Sequence, residues 1–227
     1  MPVMRASLKN WLASDAHKIY IYTDKCIDKQ LEVKGHVTID FRFEPTDDFG
    51  TNCARKVLSL EHFIQNDPYT DVLFLDADCR IVGKVDHMFD TAFDIGVTVY
   101  PEVDRKHQLN NVSAGALFLT PSQDASDFVS EWAKEQKQTN GPCRDQASLS
   151  KVAKRMDSSS STNIARFDCD IHNHHPRTGN PAEVAQFLDT IDQYGTHMNI
   201  IHLAHGTWKN DAIVYDVEKA LGRSVSG

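Results

Sequence analysis

The sequence predicts an α/β fold, a mostly parallel mixed sheet flanked by helices, and three observations carry that expectation. Between residues 18 and 76, β-branched and apolar runs of strand length alternate with a segment of helical period. The strand-like runs close on polar residues of the kind that bind ligands at the carboxyl ends of open sheets. The chain has 227 residues, 41% hydrophobic and 25% charged, enough to bury one substantial core, so a single domain over 1–227 is expected.

In chain order, Leu8, Trp11 and Leu12 lie at helical spacing, and Lys18 to Asp24 forms a strand-like run that ends at Thr23 and Asp24. His36 to Phe43 alternates as a second strand. From Cys53 to Asn66, Val57, Leu58, Leu60, Phe63 and Ile64 share one helical face. Val72 to Leu75 is a short apolar strand, Asp86 to Phe89 a turn, and Phe93 to Tyr100 and Ala116 to Thr120 are further strands. Ser122 or Asp124 caps a helix with the stripe Phe128, Val129 and Trp132, and a second helix covers 145–155. Ser158 to Thr162 is a short linker. Asn199 to Leu203 is a last strand, and no internal repeat is visible.

Composition excludes several classes of function. The net charge is −8 and no Lys/Arg block stands out, so a phosphate-backbone footprint and a nucleic-acid partner are not expected. Cys26, Cys53, Cys79, Cys143 and Cys169 are odd in number and lack CxxC spacing, which suits reduced thiols and a cytoplasmic protein. The first residues lack an apolar signal core, and no stretch approaches the roughly 18 apolar residues of a transmembrane segment. Asn111-Val112-Ser113 matches a glycosylation acceptor, a chance match in a chain with no secretion signal.

The chemistry concentrates at Val72 to Cys79, where four apolar residues run straight into Asp76 and Asp78, two carboxylates placed to share a divalent cation. The other Asp-x-Asp, Asp168-Cys169-Asp170, follows a run with Arg166 inside it and reads as a polar strand end or turn. Thr23-Asp24, Asp76/Asp78 and His202/His205 all follow strand-like runs, so three strand ends carry metal or nucleotide chemistry.

Taken in order, these segments resemble the GT-A glycosyltransferases, a Rossmann-like fold, and most closely the glycogenin-like retaining family, over residues 18–209. Leu73 to Asp78 matches the family's strand entering Asp-Ala-Asp. Lys56, or Arg55, matches a basic residue on the preceding helix. Ser113-Ala114-Gly115 matches Asn-Ser/Ala-Gly in part, with Ser113 where Asn is usual. Asp145-Gln146 matches a pair at a helix start. His202 to Lys209 matches the closing His-x-x-Gly-x-x-Lys with one extra residue, and the Pro-Trp that often follows is missing.

The resemblance implies a UDP-sugar donor, UDP-glucose or UDP-galactose, and a hexose-type sugar passed with retention to a glycan, protein or small-molecule acceptor. Loss of the diphosphate builds negative charge, which Mn²⁺ (or Mg²⁺) on Asp76, Asp78 and His202 would hold; His205 is the alternative third ligand. It further implies nucleotide contacts from Thr23, Asp24, Lys56, Asp76, Ala77, Gly206 and Lys209. Sugar contacts fall to Arg55, Ser113, Ala114 and Gly115, and catalytic roles to Asp145 and Gln146. Ordinary readings stand beside these: a capped strand end, a core imidazole, a β-turn at Thr23-Asp24, a helix N-cap at Asp145. His172, His174 and His175 read as an acceptor-side loop.

Three rival functions share parts of the pattern. A haloacid-dehalogenase-like phosphatase also uses Asp-x-Asp, but on its first strand, and its later Gly-Asp-x-x-x-Asp is absent. A sugar-nucleotide-forming nucleotidyltransferase needs a Gly-rich loop where Thr23 to Cys26 has no Gly. A sugar-nucleotide-binding module without activity is the third.

Overall fold

The computed structural model describes residues 18–24, 37–44, 46, 48–100, 112–141, 144–159, 161–173 and 199–202. Strands β1 (Ile19–Asp24) and β2 (Val37–Phe43) pair in parallel. Helix α1 (Phe49–Asn66) follows, capped by Asp48, whose carboxylate accepts from Thr51 N at 2.6 Å. Next come β3 (Val72–Leu75), β4 (Cys79–Ile81), a 3₁₀ turn (Asp86–Asp90), β5 (Ile95–Val99) and β6 (Val112–Leu119). Helices α2 (Gln123–Gln138) and α3 (Arg144–Ser159), strand β7 (Ile164–Asp168), the single turn α4 (Cys169–His172) and β8 (Ile200–His202) complete the order.

The central sheet has the order β3-β6-β5-β7, with β3–β6 and β6–β5 antiparallel and β5–β7 parallel. The α/β class and the mixed sheet agree with expectation; the parallel majority does not, because β6 runs against both of its neighbours. Apolar periodicity places a strand and its faces but carries no direction. β4 and β8 form a separate antiparallel pair.

The pleat of β6 sorts the core into two parts. Leu117 and Leu119 enter a cluster with Val57 and Leu60 of α1, Phe128 and Trp132 of α2 and Leu149 and Val152 of α3. Ala116 and Phe118 point the other way, to Cys79, Met88, Phe93 and Ile200. Every residue of β6 is buried, as a central strand covered on both faces must be. Among the described residues the three long helices pack into the first cluster only, and the opposite face is closed by the 3₁₀ turn and the β4–β8 pair. Gly96 on β5 leaves room for Phe167, since a Cβ there would lie 2.3 Å from Phe167 Cε2. Among the described residues no helix is long and apolar enough to cross a membrane.

Candidate functional site

β3 brings the chain to Asp76, and a tight turn, closed by Cys79 N donating to Asp76 O at 3.0 Å, carries Asp76, the exposed Ala77 and Asp78 over its end. β4 starts at Cys79 and lies antiparallel to β8, which sets His202 opposite Cys79. His202 Nε2 then lies 3.0 Å from Asp78 Oδ1 and 3.7 Å from Asp76 Oδ2. Burial alone raises the Asp78 carboxyl, but the hydrogen bond and charge of His202 outweigh it and leave Asp78 below the usual carboxylate value. Asp78 and His202 are thus in direct contact, and Asp76, whose two oxygens both meet Lys56, stands a little further from the same imidazole nitrogen.

Lys56 projects from α1 into the same place. Its ammonium meets Asp76 Oδ1 at 2.8 Å and Oδ2 at 2.9 Å, Asp145 Oδ2 at 2.8 Å, and donates to Ala114 O at 3.2 Å. Burial works against the ammonium, yet the two carboxylates prevail and hold Lys56 well above the ordinary lysine value. Asp145, raised by burial alone, is drawn below the usual carboxylate range by Lys56 and by the Gln146 N–H. It lies in the first turn of α3, where the helix dipole also favours a negative charge, and its carboxylate serves both Lys56 and a first-turn N–H. Arg144, one residue before, donates to Gly50 O from Nε at 3.0 Å and ties the first turns of α1 and α3 together. Burial, then Asp145, pushes the neighbouring Cys53 thiol up to about 12.

The floor of the site is a bulge in β6. Val97 pairs with Leu117 but Thr98 pairs with Ser113, which leaves Ala114, Gly115 and Ala116 out of the β5 ladder. The freed carbonyls turn to the site: Ala114 O takes Lys56, and Gly115 O accepts from Asp76 N at 2.9 Å and from the Cys79 thiol at 3.4 Å. Gly115 has no alternative, because a Cβ would lie 2.3 Å from both Cε1 and Nδ1 of His202. Ser113 Oγ accepts from Asn173 Nδ2 at 2.6 Å, and the same amide reaches Thr98 Oγ1 at 3.3 Å.

The structure thus brings Lys56, Asp76, Ala77, Asp78, Ser113, Ala114, Gly115, Asp145 and His202 into one locality, with half-buried Gln146 beside them. Arg55 turns elsewhere: its guanidinium stacks over Phe43 at 5.2 Å and bonds Asn52 and the Glu44 carbonyl. Thr23 and Asp24 close β1, and Asp24 pairs with that same Phe43. Gly206, Lys209 and His205 lie outside the described residues, as do His174 and His175. His172 packs on Phe167 and bonds Asn199 Nδ2 at 3.0 Å, and Asp168 caps α4 through Asp170 N at 2.8 Å, the turn expected of the second Asp-x-Asp.

Sequence reasoning missed Asn173, Thr98, Cys79 and Arg80. Asn173 is wholly buried and its Oδ1 has no hydrogen-bond partner among the described residues, yet it stands within a His-rich run whose spacing gives no sign of it. Arg80, also wholly buried, donates to Cys79 O at 3.1 Å beneath the turn. Cys79 carried a signal, its place directly after Asp78.

No family model and no curated protein matches this sequence. Solved structures do match it in fold. A glycosyltransferase involved in the glycosylation of the major capsid of PBCV-1 superposes with a TM-score of 0.52 at 10% identity, over 78% of this chain and 84% of that one. The glycosyltransferase GlyE of Streptococcus pneumoniae TIGR4 superposes with TM-scores of 0.53 and, in its apo form, 0.56, at 13% and 14% identity, over 99% of this chain. This chain spans 61% and 60% of the length of those two GlyE chains. The architecture built on β3-β6-β5-β7 is therefore similar in fold to those glycosyltransferases.

Proposed function

We propose that the protein is a metal-dependent glycosyltransferase that moves a hexose-type sugar from a UDP-sugar, UDP-glucose or UDP-galactose, to an acceptor, with retention as in the glycogenin-like family. The observation that carries this reading is the convergence of Asp76, Asp78 and His202 beside a lysine shared by Asp76 and Asp145, on a glycosyltransferase fold. Bound to Asp76, Asp78 and His202, Mn²⁺ would supply the positive charge that offsets the departing diphosphate.

The chain's own residues do the rest. Lys56 fixes the Asp145 carboxylate at 2.8 Å, so that it lies near the donor sugar without having to reorganise as positive charge develops there. Its ammonium also keeps Asp76 from repelling the diphosphate. The β6 bulge seats Gly115 against the His202 ring, and the buried Ser113 hydroxyl, accepting from Asn173 Nδ2 and Gly115 N, holds that turn of backbone in place beneath it. Asp145, ionised and buried, steadies oxocarbenium character at the anomeric carbon.

Hydrolysis of UDP-glucose without acceptor, dependent on Mn²⁺, is the expected activity, and Asp78→Ala should lower it by about 100-fold or more. Turnover retained in that variant sinks the reading. Absence of turnover together with tight UDP binding points to a non-catalytic binding module. A thermal shift with GDP in place of UDP overturns the nucleotide assignment, and NMR of the first-formed product tests retention.

A further inference from the structure

Asp76, Asp78 and His202 do not exhaust the donors at this place. Cys79 follows Asp78 directly, opens β4 and stands opposite His202 in the antiparallel register, so thiol and imidazole leave the ladder on one face. One ligand atom from each of Asp78, Cys79 and His202 lies within 4.8 Å of the other two. Bonds of about 2.0–2.3 Å to one ion set its donors about 3–4 Å apart, so small side-chain rotations close the site. Asp78 and His202 are already there, at 3.0 Å. Cys79 is wholly buried and His202 is 6% exposed, which removes most of the water that would compete for an ion. The thiol now rests on Gly115 O at 3.4 Å, a weak bond for an ion to displace.

We propose that Asp78, Cys79 and His202 form a thiophilic metal site that takes an ion of the zinc or cobalt class. One carboxylate, one thiolate and one imidazole is a donor set that suits zinc, whereas Mg²⁺ and Mn²⁺ favour sites without thiolate. On binding, the S–H bond breaks, its electron pair stays on sulfur to form the sulfur–metal bond, and the proton passes to solvent. No electron is transferred. The ion occupies Asp78 and His202, two of the three side chains assigned above to Mn²⁺, so the two ions exclude each other. That exclusion rests on the glycosyltransferase reading; the thiolate site does not.

The test is an optical titration of chelator-treated protein with Co²⁺, whose thiolate complexes show a near-ultraviolet charge-transfer band. The wild type should develop the band to saturation at one equivalent. A chain with Cys26, Cys53, Cys143 and Cys169 all changed to Ser should keep it, and Cys79→Ser and Cys79→Ala should lose it. No band in the wild type overturns the proposal without recourse to any variant. A band that survives in both Cys79 variants, or vanishes from a folded chain retaining Cys79 alone, overturns it as well. Electron paramagnetic resonance then separates the two readings: Zn²⁺ should release bound Mn²⁺ from the wild type. A cobalt band without any Mn²⁺ binding leaves the thiophilic site standing and removes Mn²⁺ from the proposed function.

Discussion

Gly115 occupies a position where a single methyl group would collide with the ring of His202, the proposed metal ligand. A Cβ there would lie 2.3 Å from His202, so Gly115→Ala must push the imidazole off its line to Asp78 or distort the bulge. The expected result is at least a tenfold loss of Mn²⁺ affinity, with about 1–3 kcal/mol of stability lost to overpacking. Metal titration and thermal melting check the two effects separately, and unaltered affinity would remove His202 from the ligand set. Lys56 and Asp145 give a pH dependence. Asp145 is depressed in the fold, so its contribution is complete above the ordinary carboxylate value, about pH 4, and is lost as pH falls through the folded value. Lys56 is raised, so its contribution is complete up to about pH 10 and is lost only as pH climbs past the folded value. The melting-temperature gap between wild type and Asp145→Asn should therefore be wide at neutral pH and close on acidification. A gap that widens in acid contradicts the ion pair. Asp76, Asp78 and His202 were legible in the sequence because each stands at the end of an apolar run. Asn173 was not, because its role depends on Ser113 and Thr98, brought to it by the fold and not by spacing.

At the scale of elements, the geometry of the proposed site depends on how α3 is seated. Trp132 of α2 is wholly buried and donates from Nε1 to Asp145 O at 2.9 Å and to Ser148 Oγ at 3.0 Å, clamping the first turn of α3. Arg155 and Lys151 of α3 meet Glu131 and Glu135 of α2 further along, exposed pairs that contribute little. Trp132→Phe keeps an aromatic ring in the core but removes one of the two side-chain donors to the Asp145 carbonyl, which still takes the Ser148 hydroxyl at 2.9 Å. It should cost about 0.5–1.5 kcal/mol and lower turnover more than donor affinity, as measured by melting and steady-state kinetics. A variant with lower stability but unchanged turnover would show that the clamp serves folding alone. The sequence marked Trp132 as part of a helical stripe and either Ser122 or Asp124 as the cap, and of the two it is Ser122 whose Oγ accepts from Ala125 N at 3.0 Å. It marked β6 only from Ala116, although the strand starts at Val112, because Ser113-Ala114-Gly115 lacks the β-branched bulk by which strands are recognised.

For the whole molecule, the class of fold followed from alternating strand and helix patterns, while the direction of β6 did not. Direction is fixed by which residues of distant strands meet, and Leu73 opposite Phe118 or Ile95 opposite Leu119 leaves no mark on either segment alone. The same holds for the uneven distribution of helices among the described residues: the alternation that suggested helices on the sheet's faces does not record which face each one covers. One pairing, β4 with β8, has a consequence in time. His202 joins Asp78 only when a strand from late in the chain has docked on one from its first half. Contacts so distant in sequence form slowly and late. A folding chain can therefore bury α1, α2 and α3 against the sheet before the proposed metal site is whole, because His202 reaches Asp78 only with β8, so an ion that binds there would report completed assembly.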